Sequence, residues 1–268
     1  MIDFQFVELT SWGTLRISGP EKLDYLNGIV TYELANLKSE GFKRCSFLTP
    51  QGKIRSIYWI AEIEDEYLIY CPPIMRENLI QDLLRFKLNM DVKLEDITDE
   101  TDQLYLQISA DVVLEGLSTK TSKFEFINLT SKPKSIIDYS NFKNFLIKGG
   151  VVPVDLMMDQ LPYEVGLNDA ITLDKGCFLG QEPVSRMFYR GRPRKSLYKF
   201  QADSEIKRSE IYQNDISVGK VVELIPDETG FVGISFINYQ LADLTSIEQK
   251  GISISIKQRV GNYPEFNR

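Results

Sequence analysis

The chain has 268 residues, 43% of them hydrophobic and 26% charged, and a net charge of −7. That length allows one to three packed domains of ordinary composition, and no apolar run approaches the roughly 18–20 residues of a membrane span. The acidic balance argues against a general nucleic-acid coat, and the absence of histidine removes Ser-His-Asp and Cys-His catalysis and histidine-ligated zinc or iron.

In chain order, Met1–Phe6 lacks the basic stretch of a signal peptide, so a cytoplasmic location is expected. Gly13–Ser18 alternates apolar and polar residues and reads as a strand. Gly19-Pro20 opens a helix whose stripe of Leu23, Leu26, Val30 and Leu34 faces the core. Three strands follow, Cys45–Thr49, Ile54–Ile63 and Tyr67–Cys71, joined by turns at Pro50-Gln51-Gly52 and Glu64-Asp65-Glu66. Weak alternation in Tyr58–Ile63 suits a strand buried on both faces. Pro72-Pro73 starts an amphipathic helix with Met75, Leu79, Leu83, Phe86 and Met90 on its core face, and Val92–Ile97 returns as a strand. Further on, Leu104–Ile108, Phe124–Ile127 and Ser135–Ile137 are strand-like, and the polar piece Ser118–Lys123 reads as an exposed turn.

Ala170–Leu173 reads as a short strand leading into Asp174-Lys175-Gly176-Cys177-Phe178-Leu179-Gly180-Gln181-Glu182-Pro183. Two glycines four apart suggest a loop with φ > 0 or a close backbone approach, and Pro183 suits the first turn of a helix. Cys177 is therefore expected on a strand-to-helix loop near a helix N-terminus, with Lys175 close by. Both features favour the thiolate, the form that acts as nucleophile or metal ligand; the other reading is a small cysteine packing a tight loop. Next come Arg186, Arg190, Arg192, Arg194, Lys195 and Lys199, interleaved with Phe188, Tyr189 and Tyr198 and with no acidic residue from Pro183 to Phe200. Such a run suits an anionic ligand, RNA or a partner's acidic surface, or is a solvated basic loop. Short strands then follow at Leu197–Ala202, Ile216–Leu224, Phe231–Ile237 and Ile252–Ile256, with a turn at Asp227–Gly230, as in a small all-β barrel whose boundary falls near 195. Cys45, Cys71 and Cys177 are far apart and odd in number, with no C-x-x-C spacing. They suit a reducing compartment, and no metal site built wholly from this chain is expected.

The run Lys175–Glu182, followed by Arg186 and then Arg190-Gly191, resembles the signature K-G-C-[FY]-x-G-Q-E…R…R-G of the YgfZ family. These are folate-binding proteins similar to the T-protein (aminomethyltransferase) of the glycine cleavage system. They act in maturation or repair of iron–sulfur enzymes and in the tRNA modification that depends on one of them. Ile17–Thr31, Phe47–Ile54, Leu161–Leu167, Asp215–Val222 and Phe231–Phe236 resemble further family segments. The resemblance implies an α+β, aminomethyltransferase-like fold of mixed, mainly antiparallel sheets with helices, plus a C-terminal barrel-like domain. It places a folate-binding region, with room for two interleaved subdomains, at 1–195 and the barrel at 196–268. It implies tetrahydrofolate or a derivative as cofactor, with Glu164 accepting bidentate hydrogen bonds from the pterin ring. Lys175, Gly176, Gly180, Gln181, Glu182, Arg186 and Arg190 are implicated in the same binding, and the basic run becomes a place for a polyglutamyl tail or an RNA contact through Arg190–Lys195.

Cys177 is implicated as the catalytic thiolate or as a ligand to a transient iron–sulfur cluster. One thiolate cannot hold a cluster, so a partner or glutathione would have to share it. The implied partners are iron–sulfur client or assembly proteins, and no membrane. One departure bears on activity. T-proteins carry an aspartate pair after the segment matching Gly52-Lys53-Ile54, where this chain has Ser56-Ile57, and neither is a carboxylate base. The leading expectation is thus an accessory factor, and the alternative is a folate-dependent one-carbon (aminomethyl or methyl) transferase or demethylase.

Overall fold

The computed structural model describes residues 4–9, 12–35, 37–100, 104–109, 124–128, 136–207, 209–238 and 245–265. The expected turn at Ser118–Lys123 lies outside them. The chain divides into two compact units, 1–139 with 169–185, and 140–168 with 186–268. Neither unit is a continuous stretch.

The first unit holds two sheets. β2 (Gly13–Ser18), β3 (Lys43–Leu48), β4 (Ile54–Ile63), β5 (Glu66–Cys71) and β6 (Lys93–Asp96) form a five-stranded antiparallel sheet in the order β3-β4-β5-β2-β6. β1 (Phe4–Glu8), β7 (Leu104–Ser109), β8 (Phe124–Asn128) and β9 (Ile136–Asp138) form a second sheet in the order β8-β7-β1-β9, in which β1 and β9 are parallel. The turn expected at Glu64-Asp65-Glu66 joins β4 to β5 as a two-residue hairpin, Glu66 being already in β5. Glu64 and Asp65 hold φ of 51° and 64°, and Ile63 pairs with Glu66, the left-handed geometry that matches the strands' twist.

Helices α1 (Lys22–Asn27) and α3 (Pro73–Lys87) cover this sheet, and α2 (Leu37–Glu40) lies between α1 and β3 in the chain. Leu26 of α1 and Leu79 and Leu83 of α3 pack with Leu15, Ile17, Phe47, Tyr58, Ile60 and Ile69 in one core. Full burial contributes about 1.5–3 kcal/mol for each such side chain. β4 is buried on its other face as well, where Trp59 meets Trp12 at 5.8 Å, which explains its weak alternation.

Helix α1 is shorter than its apolar stripe suggests. Asn27-Gly28 are poor helix formers, and Val30 leaves to bridge Phe47 of β3. The Asn27 side chain accepts a hydrogen bond from the Leu34 N–H at 3.4 Å. Val30 and Leu34 are still fully buried, so the stripe reaches the core without helical geometry.

The second unit contains α4 (Tyr139–Gly149, from Ser140 on) and one six-stranded antiparallel sheet. Its strands are β10 (Lys195–Ala202), β11 (Glu210–Gln213), β12 (Ile216–Asp227), β13 (Gly230–Asn238), β14 (Ser246–Gln249) and β15 (Ile252–Arg259), in the order β11-β12-β13-β10-β15-β14. The two edges are drawn together by Gln249, whose side-chain oxygen accepts from the Tyr212 N–H at 2.6 Å and whose amide donates to the Glu210 carbonyl at 3.2 Å. The sheet thereby nearly closes into a barrel around Phe200, Ile211, Val218, Ile237, Ile247 and Ile254.

Candidate functional site

The signature segment is seated on the first unit. The expected strand at Ala170–Leu173 does not form. Asn168–Ala170 makes a 3-10 turn instead, and the chain beyond it is held by single hydrogen bonds. The buried Thr31 hydroxyl donates to the Ala170 carbonyl at 2.6 Å and accepts from the Ser46 N–H at 2.9 Å. The Thr172 N–H donates to the Thr31 carbonyl at 2.9 Å, and the Thr172 hydroxyl accepts from the Glu33 N–H at 3.2 Å. Asp169 receives one guanidinium nitrogen of Arg44 on both carboxylate oxygens, at 2.6 and 2.7 Å.

The loop that follows is shaped by its two glycines. Gly176 has φ of 112° and Gly180 has φ of 77°, both in the region that favours glycine. Gly180 also permits a close approach: a Cβ there would sit 2.4 Å from the Thr49 carbonyl oxygen and 2.9 Å from Leu48 Cβ. Gly52, in the β3–β4 turn with φ of 76°, faces Pro183 and the Gly180 carbonyl in the same way. Two motifs 120 residues apart in the sequence are thus interlocked backbone to backbone.

Helix α5 (Gln181–Arg190) begins two residues before Pro183, and the unit boundary falls within it, after Ser185. The Gln181 side chain donates to the Leu173 carbonyl at 3.0 Å, closing the loop on itself. Phe178 is buried and Leu179 packs against the core, while Cys177 is exposed between them and Gly176. The Lys175 ammonium donates to the Asn27 carbonyl at 2.6 Å and lies 5.6 Å from the Phe178 ring centre. Burial lowers its pKa, opposed by the nearby Glu33 and Cys45. Lys175 therefore ties the loop to the end of α1; sequence adjacency to Cys177 suggests a different task. The other two cysteines are buried. Burial pushes the Cys71 thiol up to about 12 and the Cys45 thiol higher still, against the lowering influence of Arg76 and Lys175 respectively. Glu182 is exposed on the first turn of α5.

Glu164, Arg186 and Arg190 belong to the second unit. Glu164 ends a 3-10 turn at Pro162–Glu164 and is half-buried, with its side chain 12% exposed. Its Oε2 accepts from the Leu161 N–H at 3.4 Å and stands 4.0 Å from the Lys195 ammonium. Asn262 and Tyr263 clamp this segment. The Asn262 N–H donates to the Gly166 carbonyl at 2.7 Å, Leu167 bridges Asn262, and the Tyr263 hydroxyl donates to the Glu164 carbonyl at 3.3 Å. Beside it, Tyr163 meets Phe188 at 6.1 Å and Phe188 meets Tyr189 edge-on at 4.9 Å, with Tyr189 56% exposed.

The basic run is divided by the fold. Arg186, Arg190, Arg192 and Arg194 are exposed. Lys195 instead donates to Gln160 Oε1 at 2.5 Å and covers the Phe236 ring at 4.1 Å, and Lys199 donates to the Lys148 carbonyl. Sequence reasoning does not point to Gln160, Asn262 or Tyr263 beside Glu164, because these contacts link segments up to 99 residues apart.

Ser56 and Ile57, where T-proteins carry aspartates, are both fully buried in β4, and among the described residues the Ser56 hydroxyl has no hydrogen-bond partner. Among the described residues no three Cys, Asp or Glu side chains converge as a metal site would require, and no helix is long and apolar enough to cross a membrane.

No family model matches the chain. It is 22% identical over 260 residues to the tRNA-modifying protein YgfZ of Blochmanniella pennsylvanica, covering 82% of this chain and 77% of that one. Its identity to the YgfZ of Aliivibrio fischeri (strain MJ11) is 23% over 253 residues, covering 81% and 77%. The crystal structure of the glycine cleavage system aminomethyltransferase T from Bartonella henselae superposes with a TM-score of 0.75 at 12% identity, covering 96% of this chain and 86% of that one. The chain is YgfZ-like, on the aminomethyltransferase fold. The mixed, mainly antiparallel sheets and the barrel-like C-terminal sheet expected from the sequence are those of that fold.

Proposed function

We propose that the protein is a folate-binding accessory factor of YgfZ type, serving the assembly or repair of iron–sulfur proteins and, through one of them, tRNA modification. Three facts support the reading: relatives named as tRNA-modifying proteins, the aminomethyltransferase fold, and the signature from Lys175 to Glu182. The observation that carries it is Glu164, a half-buried carboxylate on a segment clamped by Asn262 and Tyr263, next to Lys195 and the aromatic pair Tyr163 and Phe188. That donor set suits a pterin. A carboxylate accepts from the 2-amino group and ring N–H together.

In this reading tetrahydrofolate or a derivative supplies one-carbon or redox chemistry when bound, and the chain's own residues bind and present. Gly180 and Gln181 fix the backbone around Cys177, and Lys175 anchors it to α1. Cys177 offers an exposed thiol for exchange or for ligation of a cluster carried as cargo, whose remaining ligands come from a partner or glutathione. Exposed Arg190, Arg192 and Arg194 serve an anionic partner or the folate tail. We place this work in the cytoplasm. The second reading, a folate-dependent one-carbon transferase, is favoured by the fold but opposed by Ser56-Ile57, which supply no carboxylate base at those two positions.

Titration calorimetry with tetrahydrofolate tests the folate reading. Glu164→Ala should weaken binding by about 1.5–3 kcal/mol, the loss of charge-assisted hydrogen bonds. Equal affinity in the two proteins would remove Glu164 from the site. Turnover of a methyl or aminomethyl donor with tetrahydrofolate would favour the transferase.

A further inference from the structure

We infer that Lys195 reads the ligand alongside Glu164: it donates to a ring carbonyl adjacent to the N–H that Glu164 accepts, and so selects 4-oxo over 4-amino pterins. The inference rests on the pterin reading above.

By sequence Lys195 belongs to a surface run of cations. The fold takes it out of that run. Its ammonium lies over the Phe236 ring, 4.1 Å from the ring centre, and its side chain is only 32% exposed. The ammonium donates to Gln160 Oε1 at 2.5 Å. Gln160 is itself oriented, because its amide nitrogen donates to the Met158 carbonyl at 3.3 Å, which leaves Oε1 as the end turned to Lys195. A long, flexible side chain is thereby held in one direction, as recognition requires.

The spacing to Glu164 decides what can be recognised. Lys195 Nζ and Glu164 Oε2 are 4.0 Å apart, too far for a direct hydrogen bond. The two opposite charges stand side by side without closing on each other. Adjacent polar positions on the edge of a six-membered heterocycle are roughly 2.3 Å apart. Partners about 2.9 Å from each, along slightly diverging directions, stand roughly 3–4 Å from one another. A cation and a carboxylate oxygen at this separation therefore match an acceptor next to a donor on one ring edge. The 4-oxo pterin edge presents that order: carbonyl oxygen, ring N–H, exocyclic amino group. A 4-amino pterin puts a donor where Lys195 also donates, and two donors facing each other leave both unpaired. Guanine displays the same edge as a pterin, so the chemistry is shared and the sources are separated by experiment.

Folic acid and its 4-amino counterpart, aminopterin, differ in the 4-substituent and, with it, in the N3 proton that Glu164 faces. The wild-type preference therefore includes Glu164, and its change on substitution of Lys195 reports Lys195. Both are titrated into the full chain by calorimetry, with guanosine as a third ligand. The test variant is Lys195→Met, which keeps a long, unbranched side chain without the charge. The ratio of folic acid to aminopterin affinity should fall roughly tenfold in Lys195→Met, the worth of one hydrogen bond to a charged donor. It should be retained in Lys195→Arg, while Glu164→Ala weakens folic acid. If Lys195→Met does not fold, Gln160→Met, which removes the orienting acceptor, should also lower the ratio. An unchanged ratio in Lys195→Met, with folic acid still weakened by Glu164→Ala, overturns the role of Lys195 and leaves the pterin reading standing. Absence of folic acid binding to the wild type overturns the pterin reading and this inference with it. Guanosine binding as tightly as folic acid overturns the choice of a pterin.

Discussion

Gly180 and Gly52 make a controlled pair for testing whether the interlock between the β3–β4 turn and the Cys177 loop is a packing device. Their φ values are 77° and 76°, so an alanine at either position meets almost the same backbone strain, about 1–2 kcal/mol. What differs is the space. At Gly52 the new Cβ meets Pro183 Cβ at 3.0 Å and the Gly180 carbonyl at 3.3 Å, which a few tenths of an ångström of movement relieve. At Gly180 it meets the Thr49 carbonyl oxygen at 2.4 Å, and that oxygen belongs to a turn held by the Gly52 N–H at 2.8 Å. Forced overpacking adds about 1–3 kcal/mol. Gly180→Ala should therefore cost about 2–5 kcal/mol against about 1–2 for Gly52→Ala, out of a total of about 5–15 kcal/mol for a typical protein. Urea unfolding of both variants, with folding reversibility checked, measures the difference. If Gly52→Ala costs as much as Gly180→Ala, the close approach is not what requires the second glycine and the interlock argument fails.

Other expectations concern single groups. Iodoacetamide at neutral pH should modify Cys177 first, by peptide mass. Cys45 and Cys71, buried and with thiol pKa values pushed up by burial, should react only after denaturant is added; early labelling of either would contradict their placement. Asp169→Asn should cost about 3–5 kcal/mol, because the pair's side chains are only 11% and 6% exposed and Arg44 would be left as an uncompensated charge. Arg44→Met with Asp169→Leu should recover much of that loss; a neutral Asp169→Asn would mean that the pair anchors nothing. Replacing exposed Arg190 and Arg194 by Gln should flatten the salt dependence of binding to single-stranded RNA, by about 1.4 in the slope of log K against log salt. An unchanged slope would leave the arginines as a solvated surface.

Local order was the legible part of the fold. The turn at Pro50-Gln51-Gly52, the Glu64-Asp65 hairpin and the start of α3 at Pro73 follow from proline, glycine and left-handed turn chemistry, which act over a few residues. The family motifs carried the fold itself, since no periodicity in the chain dictates an aminomethyltransferase arrangement. The errors have a common cause. Ala170–Leu173 is apolar enough for a strand, yet its hydrogen bonds go to Thr31 and Glu33 rather than to a ladder. The stripe through Val30 and Leu34 is buried as predicted, but the chain leaves helical geometry at Asn27 to meet β3. β11 and β14 are four residues each, and only their partners, with the Gln249 bridge, make them strands.

In the candidate site, the residue types were readable and their directions were not. A lysine two residues from a cysteine suggests a charge beside a thiol, whereas the Lys175 ammonium is bonded to Asn27. A lysine in a run of arginines suggests surface, whereas Lys195 is turned to Gln160 and Glu164. Side-chain direction on loops and strand ends is set by tertiary neighbours that the local sequence does not contain.

The central claim is that Cys177 is the working thiol of an accessory factor for iron–sulfur enzymes. The most direct test is a strain lacking this gene, complemented with the wild type or with Cys177→Ser and assayed for iron–sulfur enzyme activity and for protein level. Cys177 is exposed, so Cys177→Ser should fold with a loss of only about 1 kcal/mol. The account predicts normal protein level and no rescue by Cys177→Ser. Full rescue at normal level would contradict it, and the glycines and Gln181 would then be a backbone device for folate alone.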